Sequence, residues 1–296
     1  MTWHFTSHFT PLRKADDAAP AAAPDDAPAP GSGSSAGLRR LVQAAQPALV
    51  ALVLKALTTL GTDADAEALR AALLAGDTAQ ATALLAAVAG MPVLTELGPL
   101  LLALMQATST ASLPSLQAAL AHLLTTQEAL VGPTTQQALP ASVETVQSWQ
   151  LSVAQAARLA QRMVGLTRHQ VQTLTRYRTL LEEQETAPAR ALQLLEQRLE
   201  ALRRQRAERI AQTTSMQAVN AAQRLQVEQA IQRGERDGTR VRRWWRLGDD
   251  PCTVCQPIPG LNPEGRAMGE PFATPAGLVQ EPPLHPHCYC TIGYRA

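Results

Sequence analysis

The residues of this chain best suited to chemistry are its four cysteines, all of which lie after residue 251. Cys252 and Cys255 stand in the string PCTVC, and Cys288 and Cys290 in LHPHCYC, with His285 and His287 beside them. CxxC spacing puts two thiolates on one side of a tight turn, and four N/S donors suit a tetrahedral Zn2+. The donors are either the four cysteines or a Cys3His set that brings in His285 with Cys288, Cys290 or both. A disulfide pair and free thiols are the competing readings. No apolar signal segment opens the chain, so a reducing compartment is expected, where clustered cysteines more often bind metal. A catalytic zinc fits less well than a structural one: the donors leave no obvious open position and no HExxH base is present. Asp249 and Asp250 precede the CxxC and suit turn and capping chemistry before Pro251 better than acid–base work.

A second group is basic. Arg203, Arg204, Arg206 and Arg209 are followed by Arg233, Arg236, Arg240, Arg242, Arg243 and Arg246, and Trp244 and Trp245 lie within the second run. Guanidinium forks can contact DNA phosphates or an acidic protein surface; equally, they can form a solvated helix face paired with acidic groups of a partner or of this chain. No recognition-helix pattern is present, so any DNA contact is expected to ignore sequence. The formal net charge of +1 conceals this belt. Residues 1–150 hold 6 basic and 11 acidic side chains, residues 151–246 hold 18 and 9, and residues 247–296 hold 2 and 5.

These groups need elements to position them, and the composition points to helices. Apolar residues make up 46% of the 296 residues but aromatics only 3%, so a core must be built from Leu, Val and Ala, against a large β-sandwich. Residues 1–14 form a head carrying Trp3, Phe5 and Phe9, either a disordered end or a docking peptide. Residues 15–36 contain only Ala, Pro, Asp, Gly and Ser and read as a disordered linker. Residues 37–164 are Ala/Leu-rich with helical periodicity from Leu38 to Val53, and breaks are expected at Gly76-Asp77, Gly90-Pro92, Gly98-Pro99, Pro114, Gly132-Pro133 and Pro140. No chemistry is evident there, and His122 reads as a helix-surface or core residue. The stretch between Glu96 and Glu128 carries no formal charge, but its polar residues and Pro114 favour a buried helical hairpin over a membrane span.

Residues 165–250 are the long helical, Arg-rich part. Thr167 with Gln170 is an N-capping pair for a short helix ending near Pro188, with an apolar stripe at Val171, Leu174, Tyr177 and Leu181. From 189 to 233 there is neither Pro nor Gly, and Leu192, Leu195, Leu199 and Leu202 make a pairing seam. One helix there would span about 65 Å; Thr213-Thr214 is the place for a break. Residues 251–296 hold nine prolines and five glycines and read as a small loop-rich α+β module with few short strands. Such a module has too little core to hold itself together without a staple, and a metal would supply one. The expected fold class is therefore mainly α, a helical region and a long basic helix leading to a zinc-binding module.

The strings RAERIAQTTSMQAVNAAQRLQVEQAIQRG, RRWWRLGDDPCTVC and EPPLHPHCYCTIGY resemble the phage head morphogenesis family, the Mu F-like minor head proteins of tailed phages and prophages. The matching positions are Arg206, Ile210, Ala211, Thr213, Asn220, Gly234, Trp245, Asp250, Cys252, Cys255, Pro282, Pro283, His285, Pro286, Cys288 and Cys290. The resemblance covers residues 160–296; residues 1–150 carry no family signal. Thr214 stands where the family has an acid, and Tyr289 where it has an Arg between the last two cysteines. The resemblance implies a structural virion component, not an enzyme, that meets the portal protein during head assembly in the host cytoplasm and resides in the head or at the portal vertex. Major capsid or scaffolding protein and packaged double-stranded DNA are the further partners it implies. The competing classes are a zinc-dependent DNA-end hydrolase or nuclease, and a membrane-active ejection protein using residues 85–125.

Overall fold

A computed structural model describes residues 35–60, 64–89, 94–248 and 250–295. The aromatic head at 1–14, all of the 15–36 linker except its last two residues, the Gly90-Pro92 break and Asp249 lie outside the described residues.

The helices are α1 (Ser35–Thr59), α2 (Ala66–Leu74), α3 (Thr78–Val88), α4 (Gly98–Thr108), α5 (Leu113–Gln136), α6 (Leu139–Ser148), α7 (Val153–Met163), α8 (Arg168–Glu183) and α9 (Pro188–Gln232). Their starts follow from local chemistry. Asp65 accepts from the amides of Glu67 and Ala68 at the head of α2, and Asp77 from Gln80 at the head of α3. Ser152 with Gln155 and Thr167 with Gln170 form reciprocal capping boxes on α7 and α8, the second as expected. Prolines 114 and 140 sit in the first turns of α5 and α6, where a missing N–H removes nothing.

Two expected breaks are absent. α5 continues through Gly132-Pro133 to Gln136. Proline there lacks the N–H that would pair with the carbonyl of Ala129 four residues back, but Ala129 is exposed, on the solvent side of the helix. The buried side is tied at the Val131 carbonyl by Thr134 Oγ1 at 2.9 Å, Thr135 Oγ1 at 2.9 Å and Arg206 Nη2 at 3.2 Å. α9 runs unbroken past Thr213-Thr214, because both its halves are packed. Ala191, Leu195, Leu199 and Leu202 are buried in the first half, and Met216, Ala218, Val219 and Ala222 in the second. At 45 residues it is about 67 Å long, and it packs against α1, α4, α5, α7 and α8.

The uncharged stretch forms α4 and the first part of α5, which pack together as a hairpin. Among the described residues, one helix, Gly37–Thr59, is long and apolar enough to cross a membrane by length and composition. Its Leu38, Val42, Leu49, Val53 and Leu57 are buried, and the helix packs against α9 and α4. His122 is exposed on α5.

After α9 come β1 (Arg242–Arg246), the single turn α10 (Ile258–Leu261), β2 (Arg266–Ala267), β3 (Phe272–Thr274), β4 (Gly277–Val279) and β5 (Thr291–Arg295). β1 is the centre of an antiparallel β2-β1-β5 sheet, with Trp245 opposite Ile292 and Arg243 opposite Tyr294. The module's central strand thus comes from upstream of the expected boundary at 251. Trp245 meets Phe272 edge-to-face at 5.4 Å. Three of the seven buried residues in this core are Cys255, Cys288 and Cys290, so the apolar core is short and its remainder is sulfur.

Gly165 turns the chain between α7 and α8 at φ +93°, where a Cβ would lie 2.8 Å from the carbonyl oxygen of Leu57. Gly165→Ala combines a left-handed backbone with a clash against rigid main chain. It is expected to lose about 1–3 kcal/mol, read as a lower urea midpoint at unchanged slope.

Candidate metal centre

The two cysteine strings meet. Cys252 and Cys255 sit on a tight turn in which the amides of Cys255 and Gln256 both donate to the carbonyl of Cys252, each at 3.0 Å. His285 and Cys288 sit on a second turn, closed by the Cys288 amide on the His285 carbonyl at 3.2 Å. His287, inside that turn, has φ +63°, a left-handed conformation rare for a residue with a side chain. That twist lets His285 and Cys288 face the same way across an odd spacing.

The donors form two groups of three, Cys252–Cys255–His285 and Cys255–Cys288–Cys290, each with its ligand atoms within 4.8 Å of one another. Cys255 belongs to both. His285 Nε2 lies 2.9 Å from Cys252 Sγ and 3.1 Å from Cys255 Sγ, and Cys255 Sγ lies 3.8 Å from Cys288 Sγ. A tetrahedron with metal–S near 2.3 Å and metal–N near 2.0 Å has edges of about 3.8 Å between sulfurs and about 3.6 Å from sulfur to nitrogen. The Cys255–Cys288 separation matches such an edge; the imidazole sits about half an ångström inside one and must back away to ligate. None of the four sulfurs is in a disulfide.

The surroundings prepare these atoms for a cation. His285 Nδ1 pairs with the carbonyl of Pro286 at 2.7 Å; with Nδ1–H as the donor, Nε2 keeps the lone pair directed at the thiols. The Cys255 and Cys290 thiols hydrogen-bond to the Cys288 sulfur and pull its pKa down, while the pKa values of Cys255 and Cys290 are pushed up. The three sulfurs thus favour a thiolate at Cys288, and the sulfur and imidazole donors fit a metal ion. It borders a cleft of about 160 Å3 whose lining includes Arg39, Asp250, His287 and Tyr289. Arg39 of α1 lies over the Tyr289 ring at 5.0 Å.

The arginines divide. Arg203, Arg206 and Arg243 are buried, which corrects their expected place in a phosphate-facing or portal-facing belt. Arg206 donates to the carbonyls of Gly165 at 2.6 Å and Val131 at 3.2 Å and to Thr134 Oγ1 at 2.9 Å. Arg203 reaches the carbonyl of Val164 at 3.4 Å and pairs with Glu200 at 3.5 Å. The carbonyls of Val164 and Gly165, just past the end of α7, have no intrahelical partners, and these guanidiniums take them, while Arg206 also reaches the last turns of α5. Burial lowers both pKa values to about 10, so both stay charged at neutral pH. Arg243 donates to the carbonyls of Ala267, Glu270 and Gln280 and lies 5.2 Å from the Phe272 ring centre, tying the module's loops together. Arg204, Arg209, Arg240 and Arg242 are exposed, and Arg236 and Arg246 half-buried.

Two buried polar residues of α9, Gln212 and Asn220, carried no role in the sequence reading, although Asn220 is a position of the resemblance. Asn220 Nδ2 donates to the carbonyls of Pro282 at 3.1 Å and Cys290 at 3.4 Å, and Gln212 Oε1 pairs with His287 Nδ1 at 2.5 Å. Their signal was a polar side chain on the buried face of a long helix. Thr214, at the family's acidic position, is buried and returns its hydroxyl to the Ile210 carbonyl at 2.7 Å.

Searches against protein-family models, curated proteins and solved structures found no match to this chain.

Cys255→Ser removes the donor common to both triads. It is expected to abolish stoichiometric metal binding and to speed proteolysis within 250–295, with far-UV helicity nearly unchanged; retained metal would refute the shared-donor geometry. Arg206→Ala takes the guanidinium from the Gly165 carbonyl and removes further donors from Val131 and Thr134, and should cost about 2 kcal/mol or more, whereas exposed Arg204→Ala should stay within about 0.5 kcal/mol in the same denaturation assay.

Proposed function

We propose that the chain is a structural minor head protein of a tailed phage or prophage, associated with the portal protein and built around a structural zinc ion. One observation carries the reading. Several of the positions that resemble the head morphogenesis family join the long helix to its surroundings and to the cysteine module. Arg206 ties the last turns of α5 to the end of α7, Asn220 holds the carbonyls of Pro282 and Cys290, and CxxC meets HPxCxC around Cys255. A motif whose residues do this work describes an architecture, as expected of an assembly component, rather than a reaction.

Zinc is the proposed ion because the donors are cysteine sulfurs and one imidazole, with Cys255 and Cys288 at tetrahedral separation, held in a module with a short apolar core. The role is structural: up to five protein donors would surround the ion, and His285 is fixed by its backbone partner. The exposed Arg204, Arg209, Arg240 and Arg242, with the half-buried Arg236 and Arg246, remain as the surface for an acidic portal face or for packaged double-stranded DNA. The proposed location is the head interior or the portal vertex.

The test is co-expression with the portal protein encoded beside this chain, followed by affinity purification and metal analysis. A stable complex with stoichiometric zinc is expected. Absence of the portal from the purified material would overturn the assignment, and absence of zinc would overturn the metal.

A further inference from the structure

The loop that brings His285, Cys288 and Cys290 together is gripped from its other side by the helical body. Residues that offer metal donors alternate along it with residues that touch α9 or α1. His285, Cys288 and Cys290 turn toward Cys255. Between them, His287 bonds Gln212, and Tyr289 packs on the cluster of Leu38, Val42, Leu104, Met216 and Val219 beneath Arg39. The carbonyls of Cys290 and Pro282 accept from Asn220, and Glu281 pairs with Arg224 at 3.2 Å. Gln212, Met216, Val219, Asn220 and Arg224 recur at helical spacing, so one face of α9 carries most of the grip, with α1 and α4 closing over Tyr289.

We infer that Gln212 and Asn220 of α9 are positioning residues for the metal centre, so that binding the ion and docking the module on the helical body form one linked equilibrium. The inference rests on the reading that the Cys/His group holds a metal.

The physical reason lies in the chain's economy. Six residues, 285–290, carry three of the five donors and two of the docking side chains. His287 keeps its left-handed φ while its ring is tied to a glutamine that is 2% exposed. Untying it frees the turn that aligns His285 with Cys288. Cys290 is a donor through its sulfur and a docking residue through its carbonyl, so the Asn220 amide bears on the position of that sulfur. Partners behind metal ligands alter affinity by 10–100-fold, and linkage requires the reverse effect, with the ion stabilising the docked state by the same factor. The ion is then a clamp between the helical body and the module as well as a staple within the module.

The experiment uses the full chain with zinc alone as the probe. Zinc affinity is measured by chelator competition for the unaltered chain, Gln212→Ala, Asn220→Ala and Gly165→Ala. Hydrogen exchange is followed in the unaltered chain with zinc and after chelator stripping. Each α9 variant is expected to bind zinc about 10–100-fold more weakly at unchanged stoichiometry. Gly165→Ala, strained away from the module, is expected to keep the unaltered affinity. Stripping is expected to raise exchange both in 284–295 and in the α9 stretch 212–224. Unchanged affinity in both α9 variants, an equal loss in Gly165→Ala, or faster exchange confined to 284–295 would each overturn the coupling and leave the metal centre standing. An unaltered chain that binds no zinc would remove the metal reading and the coupling with it. The exchange comparison needs no variant, so failure of Asn220→Ala to fold leaves a decisive measurement.

Discussion

The guanidinium of Arg206 is the point where three helices meet, and the helical body depends on it. A helix end buried against other helices leaves carbonyls that water cannot reach. α7 ends beside the middle of α9 and presents such carbonyls there, with the last turns of α5 alongside. One planar donor fork from α9 reaches both helices at once. Arg203, a turn earlier, reaches the end of α7 as well. α9 can therefore be buried in its middle as well as along its leucine seam, and a 45-residue helix becomes the axis around which α1, α4, α5, α7 and α8 pack.

Beyond that junction α9 serves a different client. Its second half offers apolar and polar residues to the cysteine loop, where the first half offers leucines to helices. Met216 and Val219 receive Tyr289, while Gln212 and Asn220 supply directed hydrogen bonds. The module would gain little from a purely apolar contact, since its own core is short and lined with sulfur. It gains orientation instead. Two tight turns, a left-handed His287 and the Asn220 amide bring four further donors around Cys255, and that convergence is what a metal ion can convert into folding free energy.

The basic character of residues 151–246 changes meaning once its members are placed. Arg203, Arg206 and Arg243 spend their charge on buried carbonyls, and Arg158, Arg162, Arg178 and Arg224 on neighbouring carboxylates. What remains outward is a smaller, discontinuous set led by Arg204, Arg209, Arg240 and Arg242. A count of positive charges along the chain overstated the surface available to an anionic partner, because arginine is also the residue best built to satisfy helix ends in the interior.

Much was legible from residue order alone, for reasons that are local. The capping pair Thr167–Gln170, the turn at Gly165, the unbroken run after Pro188 and the metal-like Cys/His spacing all depend on residues within a turn or two of each other. The mainly helical class follows from a core rich in Leu and Ala with few aromatics. What tertiary structure decided is what long-range neighbours control. Pro133 stays inside α5 because the carbonyl it leaves without a partner belongs to Ala129, on the exposed side of the helix, while Thr134, Thr135 and an arginine 73 positions from it in the chain tie the buried side at Val131. Which arginines face solvent depends on which helix ends lie beside them. Cys255 is common to both donor groups because the pairing of β1 with β5 sets two turns more than thirty residues apart against one another, with α9 behind the second. The string of residues specifies the donors; the sheet and the helix behind them specify their geometry, because a short loop-rich segment has too little core of its own to hold it.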